Sequence, residues 1–214
     1  MKRHSLLSLV AAVGGLLLAS SLHAALADSP ETVHPLAKGV VAPSAVIQTA
    51  EGKDAEFAAV IKDKPTILIF YRGGWCPLCN RQLAALGQSY LELRKLGYQI
   101  VGVTPDNLAA LAATAEEHHL LYQLFSDRAM RLSDKFGVAY RISAETAAGY
   151  KKNGIDLAPT PTGGDYWLPL PSAFVIGRDG AIKFVYYNSD TTVRISSEDL
   201  IAAATAALDR TPSQ

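Results

Sequence analysis

The sequence predicts a single α/β domain in which a mixed central β-sheet is flanked by helices, and three observations carry that expectation. Two apolar, β-branched runs, Thr66 to Tyr71 and Tyr98 to Val103, lack polar alternation, as strands buried on both faces do. A helical pattern separates them, and strands joined through a helix run parallel. Near the C-terminus, Ala173 to Ile176 and Ile182 to Tyr187 flank Arg178-Asp179-Gly180, a hairpin signal that adds an antiparallel pair. The length, 214 residues, suits one domain.

The chain opens on an address segment. Residues 1–27 carry Lys2, Arg3 and His4, then an apolar or small run from Leu6 to Leu18, then Ala25-Leu26-Ala27 ahead of polar Asp28-Ser29-Pro30. That is the layout of a cleaved secretory signal peptide. The run is shorter than the ~20 apolar residues of a spanning helix. The expectation is therefore a mature domain of residues 28–214 in a periplasmic or other extracytoplasmic compartment, with no membrane span after processing.

Gly39 to Pro43 and Ala45 to Gln48 read as a turn and a short strand, reversed at Glu51-Gly52-Lys53. Strand Thr66–Tyr71 breaks at Arg72-Gly73-Gly74. From Pro77 to Leu96, Leu83, Leu86, Tyr90 and Leu93 recur at helical spacing. Pro77 suits a first helical position, and Gly97 suits the end. After strand Tyr98–Val103 come a helix from Leu108 to His118, a short strand Tyr122–Phe125, and a short helix Arg128–Phe136 closed by Gly137. Residues 141–170 show weak periodicity and hold many turn formers. The hairpin follows, then a last helix from Glu198 to Leu208.

Lys and Arg number 20, matching 20 Asp and Glu, so no basic excess points to nucleic acid. Removing Lys2 and Arg3 leaves 18 basic against 20 acidic residues. A hydrophobic share of 49% fits a packed core and excludes a disordered chain. Two cysteines are too few for a disulfide-stapled scaffold or a four-thiolate zinc site.

Those two sulfurs lie in Trp75-Cys76-Pro77-Leu78-Cys79, where a buried strand gives way to a helix. Helical positions i and i+3 share a face about 5–6 Å apart, and a disulfide needs Cα atoms roughly 4.4–6.8 Å apart. The pair can open and close without moving the backbone. Cys76, at the helix start, meets unpaired N–H groups and the positive end of the helix dipole, which favour a thiolate. Cys79, one turn in and more buried, stays a thiol. Cys76 therefore attacks and Cys79 resolves the product as an internal disulfide. Arg72 and Arg81 flank the site.

Plainer readings exist. A structural bridge across so short a loop constrains little of the unfolded chain. Half of a zinc site would need a second ligand pair. His118 and His119 point about 100° apart on their helix and read better as charge at its C-terminus; His34 is isolated. No cofactor or metal is expected.

The string Phe70-Tyr-Arg-Gly-Gly-Trp-Cys-Pro-Leu-Cys79 resembles the peroxiredoxin-like branch of the AhpC/TSA (redoxin) family, within the thioredoxin-like superfamily. Gly39 to Pro43, Gly102-Val-Thr-Pro-Asp106, Leu168 to Gly180 and Arg194 agree with it. The resemblance implies a thioredoxin-like fold and an antioxidant oxidoreductase. It makes Cys76 a peroxidatic cysteine, oxidised to a sulfenic acid with which Cys79 condenses. It makes Pro171 a cis-proline facing the nucleophile, and it sets Arg194 near the thiolate; otherwise Arg194 is a solvated or salt-bridged surface residue. Trp75, Pro77 and Arg72 are supporting residues. Typical members carry Thr or Ser three residues before the reactive cysteine and Pro seven before; here these positions are Gly73 and Ile69.

Three functions stand at this stage: a thiol-dependent peroxidase, a thiol-disulfide oxidoreductase for exported proteins, and a non-catalytic thiolate metallochaperone or binding module. The first two take a peroxide or a disulfide as substrate and need an external thiol reductant, either thioredoxin-like or a membrane-linked donor. Tyr150, Tyr166 and Trp167 in segment 141–170 either rim the site as an apolar groove or belong to a packing flap.

Overall fold

The computed structural model describes residues 26–160 and 165–208. A hairpin comes first, β1 (Val46–Gln48) and β2 (Asp54–Glu56), closed by the Thr49 N–H donating to the Lys53 carbonyl at 2.9 Å. Next are α1 (Phe57–Ile61), β3 (Thr66–Phe70), α2 (Pro77–Gln88), α3 (Tyr90–Lys95), β4 (Gln99–Thr104), α4 (Leu108–Glu117) and β5 (Gln123–Ser126). The chain continues through α5 (Arg131–Lys135), β6 (Ala139–Ile142), α6 (Ala144–Lys152), β7 (Tyr166–Pro169), β8 (Ser172–Ile176), β9 (Ile182–Tyr187) and α7 (Ser197–Leu208). The main sheet runs β2-β1-β5-β4-β3-β8-β9. Its centre, β3, β4 and β5, is parallel, while β8 and β9 on one side and β1 and β2 on the other are antiparallel. This is the mixed sheet expected of a thioredoxin-like α/β domain.

Every residue of β3 is buried, and its side chains alternate between two cores. Ile67, Ile69 and Tyr71 join Leu83 and Leu86 of α2, Leu93 of α3, Leu111 of α4, and Leu200 and Ala204 of α7. Leu68 and Phe70 face the other side, with Phe57 and Ile61 of α1 and Leu132 of α5. There Phe136 packs against Phe57, Phe70 and Phe174 at centroid distances of 5.7, 5.2 and 5.0 Å. A strand covered on both faces cannot alternate polar and apolar residues, which explains its continuous apolar run.

Three expectations need correction. The single helix from Pro77 to Leu96 is two helices that meet at Ser89 (φ −86°, ψ 1°). Gly87 and Ser89 are poor helix formers, and a Gly/Ser pair is a common place for a helix to break. The helix drawn from Arg128 begins only at Arg131: Asp127 and left-handed Met130 (φ 53°) shape the entry, with the Asp127 carboxylate accepting the Leu132 and Ser133 N–H groups at 3.2 and 2.8 Å. Segment 141–170 is not irregular throughout. It holds α6, capped by Ser143 accepting the Thr146 N–H at 3.2 Å, and most of a two-stranded sheet of β6 and β7. Only Ala147 of α6 is buried, so the helix leaves little apolar periodicity in the sequence.

Residues 1–25 of the expected signal peptide lie outside the described residues. Within them, the Ala27 carbonyl accepts the Arg141 N–H at 2.8 Å and Asp28 lies 3.4 Å from the Arg141 guanidinium. Among the described residues no helix is long and apolar enough to cross a membrane.

Candidate active site

Parallel strands end at the same sheet edge, where the loops that follow converge. The loops after β3 and β4 meet there. Tyr71 continues the ladder through its N–H to the Val103 carbonyl at 3.0 Å, and Arg72-Gly73-Gly74-Trp75 then leaves the sheet. Gly73 has φ +151°, and a Cβ on it would overlap the Trp75 indole nitrogen and crowd the Asp106 carboxylate. A Cβ on Gly74 would overlap the Thr114 hydroxyl of α4. Packing therefore explains why no side chain, and so no hydroxyl, stands at position 73.

Three bonds hold the loop against the helix start. The Gly74 N–H donates to Asp106 Oδ2 at 2.7 Å, Asn80 Nδ2 donates to the Gly74 carbonyl at 2.7 Å, and the Cys76 N–H donates to the Gly73 carbonyl at 3.1 Å. Cys76 is the N-cap residue of α2, with extended backbone (φ −93°, ψ 109°), and its carbonyl accepts the Asn80 N–H at 3.0 Å. Pro77 occupies the first helical position as expected, where its missing N–H costs no bond.

Both cysteines are free thiols in this structure. Cys76 keeps 4% of its surface exposed and Cys79 none. The Cys76 pKa is pushed down to about 5, first by the hydrogen bond from the Cys79 thiol. The Cys79 backbone N–H and the positive charges of Arg72 and Arg194 add to this, against burial. Cys79 is pushed up, first because its proton is held on Cys76 and then by burial. The asymmetry expected from position along the helix is thus present, and its main source is the neighbouring thiol.

Two guanidiniums flank the sulfurs. Arg194 Nη2 donates to Cys79 Sγ at 3.3 Å, while its Nη1 is anchored on the carbonyls of Thr191 and Val193 at 2.7 and 2.8 Å. Of the two readings of Arg194, the structure brings the residue to the site. Arg72 stacks on Trp75 with its guanidinium carbon 4.9 Å from the ring centroid, and it donates to the Tyr150 hydroxyl. Tyr150 in turn packs on Trp75 at 5.1 Å between centroids. Segment 141–170 is therefore both rim and packing layer: Tyr150 reaches the site, Tyr166 packs into a satellite cluster with Tyr140 and Leu168, and Trp167 lies in a separate cluster with Met130.

Other expected residues fall elsewhere. Arg81 is exposed, because two residues beyond Cys79 is about 200° around the helix. Pro171 is buried, but no peptide bond among the described residues is cis. Only Leu170 and Pro171 join β7 to β8, and a trans bond, favoured by ~0.5–1 kcal/mol before proline, carries the chain between the two strands. His118 caps the end of α4 and His119 follows with φ 48°.

Sequence reasoning missed Asp106 and Asn80 as supports of the loop. Asp106 is buried, which pushes its carboxyl pKa up. The available signal was a polar residue just past the end of β4, at the same sheet edge as Cys76. Among the described residues no group of three or more His, Cys, Asp or Glu could hold a metal ion.

Known proteins with similar sequence or shape point one way. The AhpC/TSA family model matches residues 39–185. "Peroxiredoxin Q, chloroplastic" of Triticum aestivum is 26% identical over 153 residues, which cover 72% of this chain and 60% of that protein. The chain thus spans about three fifths of the length of that curated relative. Among solved structures, peroxidoxin BcpB of Mycobacterium tuberculosis superposes with a TM-score of 0.60 at 18% identity, covering 79% of this chain and 96% of that one. Peroxiredoxin Q of Xanthomonas campestris gives 0.59 at 17% identity, covering 76% and 90%.

Proposed function

The chain belongs to the AhpC/TSA family, and on that premise we propose that it is a thiol-dependent peroxidase in which Cys76 reduces the peroxide and Cys79 resolves the product. One observation carries the reading: a sulfur with its pKa pushed down to about 5 accepts a hydrogen bond from a second, protonated thiol one helical turn away. The Cys76 thiolate attacks the terminal peroxide oxygen and the O–O bond breaks. Cys76 becomes a sulfenic acid, and the leaving alkoxide or hydroxide takes a proton from water. Cys79 then attacks the Cys76 sulfur, an S–S bond forms, and the hydroxyl departs as water with the Cys79 proton. Two thiols of an external reductant restore the pair by exchange. Arg72 and Arg194 keep positive charge beside the sulfurs throughout.

The missing hydroxyl at Gly73 favours a second reading, exchange with protein disulfides. Against it stands access: with 4% of its surface exposed, Cys76 admits a small peroxide far more readily than a folded partner. Among the described residues no His, Cys, Asp or Glu joins the two sulfurs in a group of three that could hold a metal ion, which leaves a thiolate metal carrier without support. The decisive comparison is the second-order rate of reduced protein with hydrogen peroxide against its rate with a peptide disulfide, read by fluorescence of Trp75. The peroxidase reading predicts a peroxide rate well above that of a free thiol at the same thiolate fraction; a rate no faster rejects it.

Export is part of the proposal. Its support is the positive start, the short apolar run and the Ala25-Leu26-Ala27 site. An N-terminus at Asp28 in protein recovered from the extracytoplasmic fraction is the expected result, and an intact Met1 in mature protein contradicts it. The electron donor is then a thioredoxin-like or membrane-linked thiol.

A further inference from the structure

The two guanidiniums at the site are held in different ways. Arg72 is held over Trp75 and on the Tyr150 hydroxyl, and it acts on both sulfurs through its charge. Arg194 is fixed by two backbone carbonyls and places its Nη2 on Cys79 Sγ at 3.3 Å, a sulfur with no exposed surface. A cationic donor aimed at a buried thiol gains most when that thiol becomes an anion.

We propose that Arg194 is the catalytic group of Cys79: it stabilises this sulfur as a thiolate in the two steps where it must carry charge. The assignment rests on the peroxidase reading for its place in the cycle. In resolution, Cys79 gives up its proton and attacks the sulfenic sulfur of Cys76; the S–O bond breaks, and the hydroxide leaves as water with that proton. In reduction, the reductant's thiolate attacks Cys76, the less buried sulfur; a mixed disulfide forms, the Cys76–Cys79 bond breaks, and the electron pair leaves on Cys79. A second reductant thiol then releases Cys76, so two electrons pass from the reductant's two thiols to the pair.

Timing follows from the surroundings. In the reduced protein the Cys76 thiolate holds the Cys79 proton, through its hydrogen bond and its charge. Once Cys76 is a sulfenic acid or part of a mixed disulfide, that charge is gone. What then acts on Cys79 is burial, which opposes ionisation, and Arg194, which favours it through charge and hydrogen bond. The arginine thus takes effect when the first sulfur has reacted.

Stopped-flow turnover of Arg194→Met and Arg72→Met separates the steps. Arg194→Met slows conversion of sulfenic acid to disulfide by about tenfold or more, the scale of losing one hydrogen bond to a charged group, and slows sulfenic acid formation clearly less. It also lets sulfinic acid accumulate under excess peroxide. Arg72→Met slows the first step more than the second. Equal slowing of both steps by Arg194→Met, or the reverse order, overturns the assignment. A second readout needs no peroxide and so stands if the peroxidase reading fails: in Cys76→Ser protein, thiolate absorbance reports the Cys79 titration. Adding Arg194→Met raises that midpoint by about one unit or more, and Arg194→Lys restores part of the shift; an unchanged midpoint overturns the assignment. If Arg194→Met does not fold, Arg194→Gln carries the same comparisons.

Discussion

At Cys76, the hydrogen bonds from Cys79 and the charges of Arg72 and Arg194 outweigh burial, and the thiol ionises near pH 5. Because this value lies below that of an unfolded thiol, the ionised form contributes stability that is complete above the ordinary thiol range, ~8.5. That contribution declines as pH falls and is lost as pH passes through about 5. Cys79 behaves in the opposite sense: its raised pKa contributes below the ordinary thiol range and is lost at alkaline pH. Thiolate absorbance of the reduced protein should show one midpoint near 5 that disappears in Cys76→Ser, and peroxide reactivity should be level at neutral pH and fall below that midpoint. A single midpoint near ~8.5 would mean that the neighbours do not act on this sulfur.

The loop between β3 and α2 shows how one element constrains another. Gly73 and Gly74 let the chain pass between the Trp75 indole, the Thr114 hydroxyl and the Asp106 carboxylate. Introducing the hydroxyl that typical relatives carry at position 73 is therefore not a gain here. Gly73→Thr places a β-branched side chain at φ +151° into Trp75. The expected cost is about 1–3 kcal/mol, as for overpacking, read as a lower melting temperature and a slower peroxide reaction; a variant as stable as the parent with a faster reaction contradicts this. Elements that bury two faces, such as β3 and β4, could be read from sequence because packing writes a continuous apolar run. Helix α6, which rims the site through Tyr150, could not, because it buries one residue; the break at Ser89 was hidden by apolar residues that keep helical spacing on both sides of Gly87 and Ser89. Cys76, Cys79 and Pro77 were readable because their chemistry depends on neighbours in sequence. Asp106 and Asn80 reach the site only through the fold, which also singles out Tyr150 among the three aromatics the sequence offered as a rim, and the cis bond expected at Pro171 came from a family pattern this chain does not follow.

In the whole molecule, the parallel strands deliver two loops to one sheet edge, and α7 packs beneath them with Arg194 on the segment leading into it. Both guanidiniums thereby place positive charge at Cys76, and Arg194 alone of the two donates a hydrogen bond to Cys79 among the described residues, where neither arginine joins a salt bridge with a carboxylate. In the reduced protein Cys76 keeps 4% of its surface exposed and Cys79 none, so the oxidant is expected to be small and the oxidised product internal. The direct test is to add one equivalent of hydrogen peroxide to the fully reduced protein and follow thiols and intact mass. The account predicts loss of both thiols, a mass lower by two hydrogens, and a single disulfide bond between Cys76 and Cys79. Retention of both thiols, or a product joined between two chains instead of within one, would contradict it.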